Sequence, residues 1–357
     1  MSALTMRCEA LTVDRFDRVA SEWGLLASRY SSAPFMQPLF VGTALKHFAS
    51  GSERIVIARD TAGVAAVGVF SRRRGLWETF QPSQSPIGAL VLREGVSIES
   101  LLQAAGRCMP GPALGVAATQ QDPLYCQRPQ GNGGSVSALD YIKTASVQVS
   151  GRFEDYWNAR GKNLRQNLRK QRRKLQDDGI DTSLEVISAP RDVGRGVAAY
   201  GALESAGWKA SGGTAISPDN AQGRFYSDML ESFCARGRGK ICLYRFGAQV
   251  VVVDLCIESD DALVVLKTTY DESIRAFSPA ALMREELFQQ WWQQGRLRRI
   301  EFYGPVMEWH LRWTDQVRTL FHVNWYRWPT LMRTASQLAQ RWRPRAAAAH
   351  TTQEATG

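Results

Sequence analysis

Hydrophobic and polar residues alternate along this chain in blocks of clearly different period. Helical spacing marks residues 14–30 and 37–49. The apolar runs Ile55–Ala58 and Val64–Phe70 then flank Asp60-Thr61-Ala62-Gly63, the pattern of a β-hairpin over 52–75. A Pro/Ser loop, 81–86, enters a short strand. Residues 98–109 read as a helix, 112–120 and 139–149 as strands. From Gly151 the order begins again. Residues 153–179 form one or two helices closed by Gly179, 182–188 a strand, and 191–209 and 217–237 two helices, the second with Ser217 as N-cap and Pro218 at its first position. Three consecutive strands fill 239–271. A long amphipathic helix over 278–294, a strand over 298–304, a short helical piece over 307–315, a strand over 317–328 and a helix over 330–343 follow; the remaining tail reads as disordered.

The two halves share an order of elements without sharing sequence. That predicts two mixed α+β domains of one kind, each a mostly antiparallel mixed sheet flanked by helices. The expected divisions are 1–150, 151–330, and a C-terminal helix and tail over 331–357. Two domains also suit 357 residues.

Charge sharpens one segment. Eight of the basic residues lie between Arg160 and Lys174 with no acid among them, so most of the net charge of +10 sits on one helix. A surface built throughout for nucleic acid is therefore not expected. The N-terminus lacks the pattern of a secretion signal, and no run of about 18 apolar residues occurs, so the expectation is a cytoplasmic protein without membrane insertion. The six cysteines are scattered without a CxxC pair and read as reduced thiols, with no metal site.

Several blocks of the second half, in order, carry a family likeness. They are the basic helix "KNLRQNLRKQRRKLQDDG", the helix ending in Trp208-Lys209, the hairpin "ICLYRFGAQVVVVDLCI", the stretch "YDESIRAFSPAALMREELFQQWWQQG", and "RRIEFYG" followed by "EWHLRWT". Together they resemble the CelD/BcsL family of GNAT-superfamily acetyltransferases, relatives of the Fem peptidyltransferases, over residues 150–328. The first half resembles the companion domain of Fem-type proteins in element order alone. Three departures stand out. Ala280 replaces the usual Gly after Ser-Pro, Glu301-Phe302 stands for Asp-Phe, and Trp309-His310 stands for Tyr-Lys.

The resemblance implies an acyl-CoA co-substrate lying in a splayed gap between the strand ends of 262–271 and 298–304. Thr268, Thr269 and Tyr270 would border it, and the pyrophosphate would rest on Arg275, Ala276, Phe277, Ser278, Pro279 and Ala280. Physical reasoning agrees, because a helix start offers N–H groups without intrahelical partners and a dipole that favours anions. For proton transfer the candidates are Glu301, then His310, with Asp254, Tyr303 and Tyr270 also in reach of a role. Each has a structural alternative: a salt bridge for Glu301, packing for His310 and the tyrosines, internal pairing for Asp254. Trp208 and Lys209 would shape an acceptor pocket. Arg165, Arg169 and Arg172 would meet an acidic ligand, unless the basic helix is merely a solvated face.

The expected function is acyl transfer from CoA to an amine of a small molecule, an amino sugar or an envelope or polysaccharide precursor. Two alternatives remain: aminoacyl transfer from tRNA as in Fem enzymes, and a degenerate scaffold binding a nucleotide-sugar or acidic polymer. The chain lacks the long helical arm that Fem enzymes insert, which favours acyl-CoA as donor.

Overall fold

The computed structural model describes residues 6–73, 75–130, 134–206, 216–217 and 219–330. Trp208 and Lys209 lie outside them, as do the tail and nearly all of the helix expected over 330–343. The described strands form one 13-stranded sheet. In chain order they are β1 (Arg7–Thr12), β2 (Arg54–Asp60), β3 (Gly63–Arg73), β4 (Leu76–Thr79), β5 (Leu90–Leu92), β6 (Gly115–Gln121), β7 (Val136–Gln148), β8 (Thr182–Ile187), β9 (Gly239–Phe246), β10 (Gln249–Glu258), β11 (Ala262–Tyr270), β12 (Arg299–Phe302) and β13 (Val317–Tyr326). The helices are α1 (Phe16–Tyr30), α2 (Pro38–Phe48), α3 (Ile98–Cys108), α4 (Phe153–Asn158), α5 (Lys162–Asp177), α6 (Val193–Ala206), α7 (Ala221–Cys234), α8 (Pro279–Gln294) and α9 (Glu308–Leu311).

Neighbours in the sheet run β1-β2-β3-β4-β6-β13-β7-β12-β11-β10-β9-β8, with β5 added beside β3. All pairs are antiparallel except β4 with β6 and β11 with β12. Each half of the chain therefore contributes an antiparallel run ending in one parallel pair. The last strand of each half is exchanged: β7 pairs with β12, and β13 pairs with β6. The chain division expected at residue 150 falls between β7 and α4, and the sheet continues across it. The fold is thus mixed α+β with a mostly antiparallel sheet, as the periodicity indicates.

Strand alternation assigns the faces. Val253, Leu255 and Val264 join a core beneath α1, α2, α6 and α7 that spans both halves. Leu263, Val265, Ile300 and Phe302 point the other way, under α5 and α8. Val116, Ala118 and Trp325 pack with α3 on that same side. Burying a large side chain such as Trp23 or Phe288 contributes about 2–3 kcal/mol.

Two details differ from the sequence reading. The N-cap of α7 is Asn220, whose side chain accepts from the Gly223 N–H at 2.8 Å; Ser217 instead accepts from the Asp219 N–H in the preceding turn. Ser217 sits one turn too early to reach the first free N–H groups. Strands β1 and β4 were not expected. The first is an edge strand with only β2 as partner and no fully buried side chain, and the second has four residues, so neither leaves much periodic signal.

Candidate active site

The parallel pair β11·β12 is joined only over Ala262–Val264 and Arg299–Glu301. Beyond that the strands part: β11 continues beside β10 to Tyr270, while Phe302 stays with β7 opposite Ala145. The result is a V with Thr268, Thr269 and Tyr270 on one arm and Phe302 at the end of the other. The pair β4·β6 stops in the same way after Glu78 and Ala117, but its gap is filled. Thr79 Oγ1 lies 2.7 Å from Thr119 Oγ1 and accepts from the Thr119 N–H, and the Gly88 N–H donates to the Thr119 carbonyl. A Cβ at Gly88 would collide with Thr79 and with that carbonyl, so only glycine fits the wedge. Of two equivalent gaps, one is stoppered by the chain itself.

Past the gap, β11 runs on into the loop before α8. Asp271 accepts from the Ser273 N–H, and Glu272–Phe277 form a short 3-10 helix. Ser278 then adopts a left-handed conformation, φ +53°, which costs a non-glycine residue about 1–2 kcal/mol. Such strain often marks a functional turn. The Ser278 N–H, expected to be free, is bonded to the Arg275 carbonyl, because the 3-10 turn extends to it. The Ala281 and Leu282 N–H groups both turn back to the Ser278 carbonyl, and Pro279 has none to offer. The Ala280 N–H is left as the donor at the helix start with no partner among the described residues. Arg275 and Ala276 are exposed beside it.

Helix α5 is docked on this loop. The Asn167 amide donates to Ser278 Oγ at 3.2 Å, and Lys174 lies 4.5 Å above the Phe277 ring. Arg172 is committed to Glu285 and Glu286 of α8, both at 2.7 Å. Arg165 donates to the Arg160 carbonyl, whereas Arg169 is exposed and makes no ion pair among the described residues. The three arginines expected to act together are therefore separated in role.

The proton-transfer candidates fall on opposite faces of the V. On the α6/α7 face, Glu301 is 1% exposed. Its Oε2 accepts from Arg318 at 2.8 Å, and its Oε1 stands 2.5 Å from Arg299 Nε in an ion contact too bent for a hydrogen bond. Burial raises the Glu301 carboxyl above its usual range, while Arg318 and Arg299 pull it down. Arg318 also holds the fully buried Asp122, and the Tyr303 hydroxyl donates to Asp122 at 2.8 Å. Arg299 reaches Ser32 and Tyr125. Glu301 and Tyr303 thus belong to a closed network linking β12, β13, the end of β6 and α1. Sequence reasoning missed Asp122 and Arg318, whose partners are nearly 200 residues apart.

On the α8 face, Asp254 lies opposite Thr268 and pairs with Arg284 of α8 at 3.3 Å. Its Oδ1 is buried without a hydrogen bond, and burial raises its carboxyl above the usual range. His310 stacks on Trp309 at 3.6 Å and meets Phe302 edge-on. Its Nδ1 accepts from the Met307 N–H, so the neutral ring carries its proton on Nε2. Burial first, then Arg284, lowers its pKa from 6.5 to about 4. Between those values the unfolded chain takes up a proton that the folded chain refuses. Stability is therefore expected to fall as pH drops through that window, by up to about 1.4 kcal/mol per unit. The variant His310→Asn keeps an acceptor for Met307 and should lose this component. Urea denaturation at pH 7 and pH 4 tests it; equal pH dependence of the two proteins would count against it.

A cavity of about 720 Å³ adjoins the V on the α6/α7 face, bordered by Leu266, Lys267, Tyr226, Tyr303 and the 80–86 loop. His322, which sequence reasoning also missed, lines it, with Nδ1 accepting from the Gln120 N–H at 3.1 Å. A larger cavity of about 1080 Å³ lies at the other end of β11, near Asp261 and Tyr125.

Comparison with known proteins bears on this geometry. Residues 162–311 match the family model of the acetyltransferase (GNAT) domain. The GNAT-matching segment thus contains β11, α8 and β12, the whole of the open V. No curated protein matches the chain. Among solved structures, the crystal structure of FemX is similar at 8% identity and TM-score 0.57, covering 88% of this chain and 98% of that one. The C-terminal domain (DUF2156) of a putative lysylphosphatidylglycerol synthetase from Agrobacterium fabrum gives 11% identity and TM-score 0.54, covering 91% and 96%. A conserved protein of unknown function from Bacteroides thetaiotaomicron gives 9% and 0.54, covering 90% and 100%. At these identities the likeness is one of fold.

Proposed function

We propose that the chain is an acyl-CoA-dependent N-acyltransferase of the CelD-like type, built from two tandem GNAT-like halves joined near residue 150. One observation supports the reading: strand pairing in the C-terminal V stops at Val264 and Glu301 and β11 runs on through the 271–278 loop to a helix start, whereas the equivalent N-terminal V is closed by Gly88. The acyl donor would lie between Thr268–Tyr270 and Phe302. Its pyrophosphate would sit on the Ala280 N–H with Arg275 nearby, where the helix dipole favours an anion. The acceptor amine would enter through the 720 Å³ cavity. It would be an amine of a small molecule, an amino sugar or an envelope precursor.

Because the oxygens of Glu301 are engaged by Arg318 and Arg299, we assign that carboxylate to holding the cleft wall, and water in the cavity takes the amine proton. The His310 Nε2–H would donate toward the leaving sulfur. Transfer from aminoacyl-tRNA is a second reading, favoured by the exposed Lys162, Arg169, Lys170, Arg173 and Lys174 of α5.

The test is calorimetry with acetyl-CoA and CoA, then thiol release with an amine panel. One CoA per chain is expected. Two sites per chain would contradict the stoppered gap. No CoA binding, with tight and salt-sensitive tRNA binding, would favour the second reading.

A further inference from the structure

We propose that Arg284 is a catalytic residue that stabilises the sulfur leaving as a thiolate; this rests on the acyl-CoA reading above. Arg284 stands in the second turn of α8, on the stripe that faces the sheet, and is only 4% exposed. Its guanidinium bridges β10 and the end of β12, the strands on either side of β11. On one side its Nη2 donates to Asp254, which lies opposite Thr268. On the other, its central carbon stands 5.3 Å from the ring centre of Phe302 and 4.6 Å from that of Trp309.

A cation in such a place needs strong partners. Arg284 has one hydrogen bond among the described residues, at 3.3 Å, out of five possible donors. Beside it lie the Phe302 and Trp309 rings and the neutral His310. The pair is under-bonded on both sides, since Asp254 Oδ1 has no hydrogen bond either. A buried guanidinium with spare N–H groups, held beside Phe302 where β12 leaves β11, is suited to an anion that appears there only during reaction.

The step balances simply. The acceptor nitrogen attacks the thioester carbonyl carbon, and the C–N bond forms. As the tetrahedral intermediate collapses, the C–S bond breaks and its electron pair leaves with sulfur. The amine proton passes to water in the cavity. The thiolate rests against the Arg284 cation and the His310 Nε2–H, and takes a proton from water on release. Asp254 is a positioning residue that fixes the guanidinium from behind.

Ultraviolet titration of the thiolate of bound CoA, with desulfo-CoA as baseline, reads the effect directly. In the parent protein the bound thiol should titrate at least about one unit below free CoA. In Arg284→Met, which keeps side-chain bulk, it should return to the free value, with turnover down about 100-fold and CoA affinity within about threefold. Arg284→Lys should recover part of both. Asp254→Asn should lower the thiol pKa further, because it removes the opposing charge. Melting curves establish that each variant is folded. A bound thiol that titrates as free CoA in the parent, or equally in parent and Arg284→Met, would overturn the proposal. A parent that binds no CoA would overturn the acyl-donor reading and this inference with it.

Discussion

Ala280→Asp is expected to abolish acyl-CoA binding while leaving the fold standing. Ala280 offers the donor left over at the start of α8, since the neighbouring N–H groups are bonded back to Arg275 and Ser278. A carboxylate there would face the pyrophosphate at about 4 Å. At the effective dielectric of a partly buried site, that repulsion costs about 4 kcal/mol, or two to three orders of magnitude in Kd. The protein itself should tolerate the change. Ala280 is half-buried at the rim of its core, and an acid in the first turn of a helix interacts favourably with the dipole. Ala280→Gly, in contrast, should bind CoA as well as the parent or slightly better, because the backbone can approach more closely. Calorimetry on the folded variants decides. Undiminished binding by Ala280→Asp would remove the phosphate role from this loop.

Glu301→Gln is expected to lose about 3 kcal/mol of stability, since it takes the carboxylate from the largely buried Arg299 and leaves Arg318 with Asp122 alone. Glu301 pairs with both Arg299 and Arg318, and Arg318 pairs in turn with Asp122. Arg318→Met should cost a similar amount. The double variant should cost clearly less than the sum, because the groups it removes are each other's partners. Urea unfolding of the four proteins measures this. CoA affinity of the folded fraction should not change, since no member of the network lies in the 271–280 loop. If Glu301→Gln is as stable as the parent but slow in transfer, Glu301 is the base after all.

The periodic segments were easy to read. Helices α1, α2, α3, α5, α7 and α8 and the β9–β11 meander come from long runs whose apolar spacing has a single period. The Ser278-Pro279 helix start was legible too, through its local turn chemistry. Arg284 was visible in principle: a charged residue interrupts the apolar stripe of α8 between Leu282, Met283 and Leu287. Asp122, Arg318 and His322 gave no such sign. An arginine on a half-exposed strand looks the same whether or not its partner lies 196 residues away.

By itself the sequence determined most of the elements, their class and the helix start at Ser278-Pro279, because caps, turns and periodicity act over a few residues. It also carried the ordered blocks that match one acetyltransferase domain family. Only the tertiary structure decided that the halves share a single sheet, that they exchange their last strands, and that Gly88 stoppers one of two equivalent gaps. It decided, too, that Glu301 meets two arginines and that Arg284 bridges Asp254 of β10 and Phe302 of β12. Those outcomes depend on which distant strands become neighbours. Pairing of that kind is set by burial over the whole chain, and no local pattern encodes it.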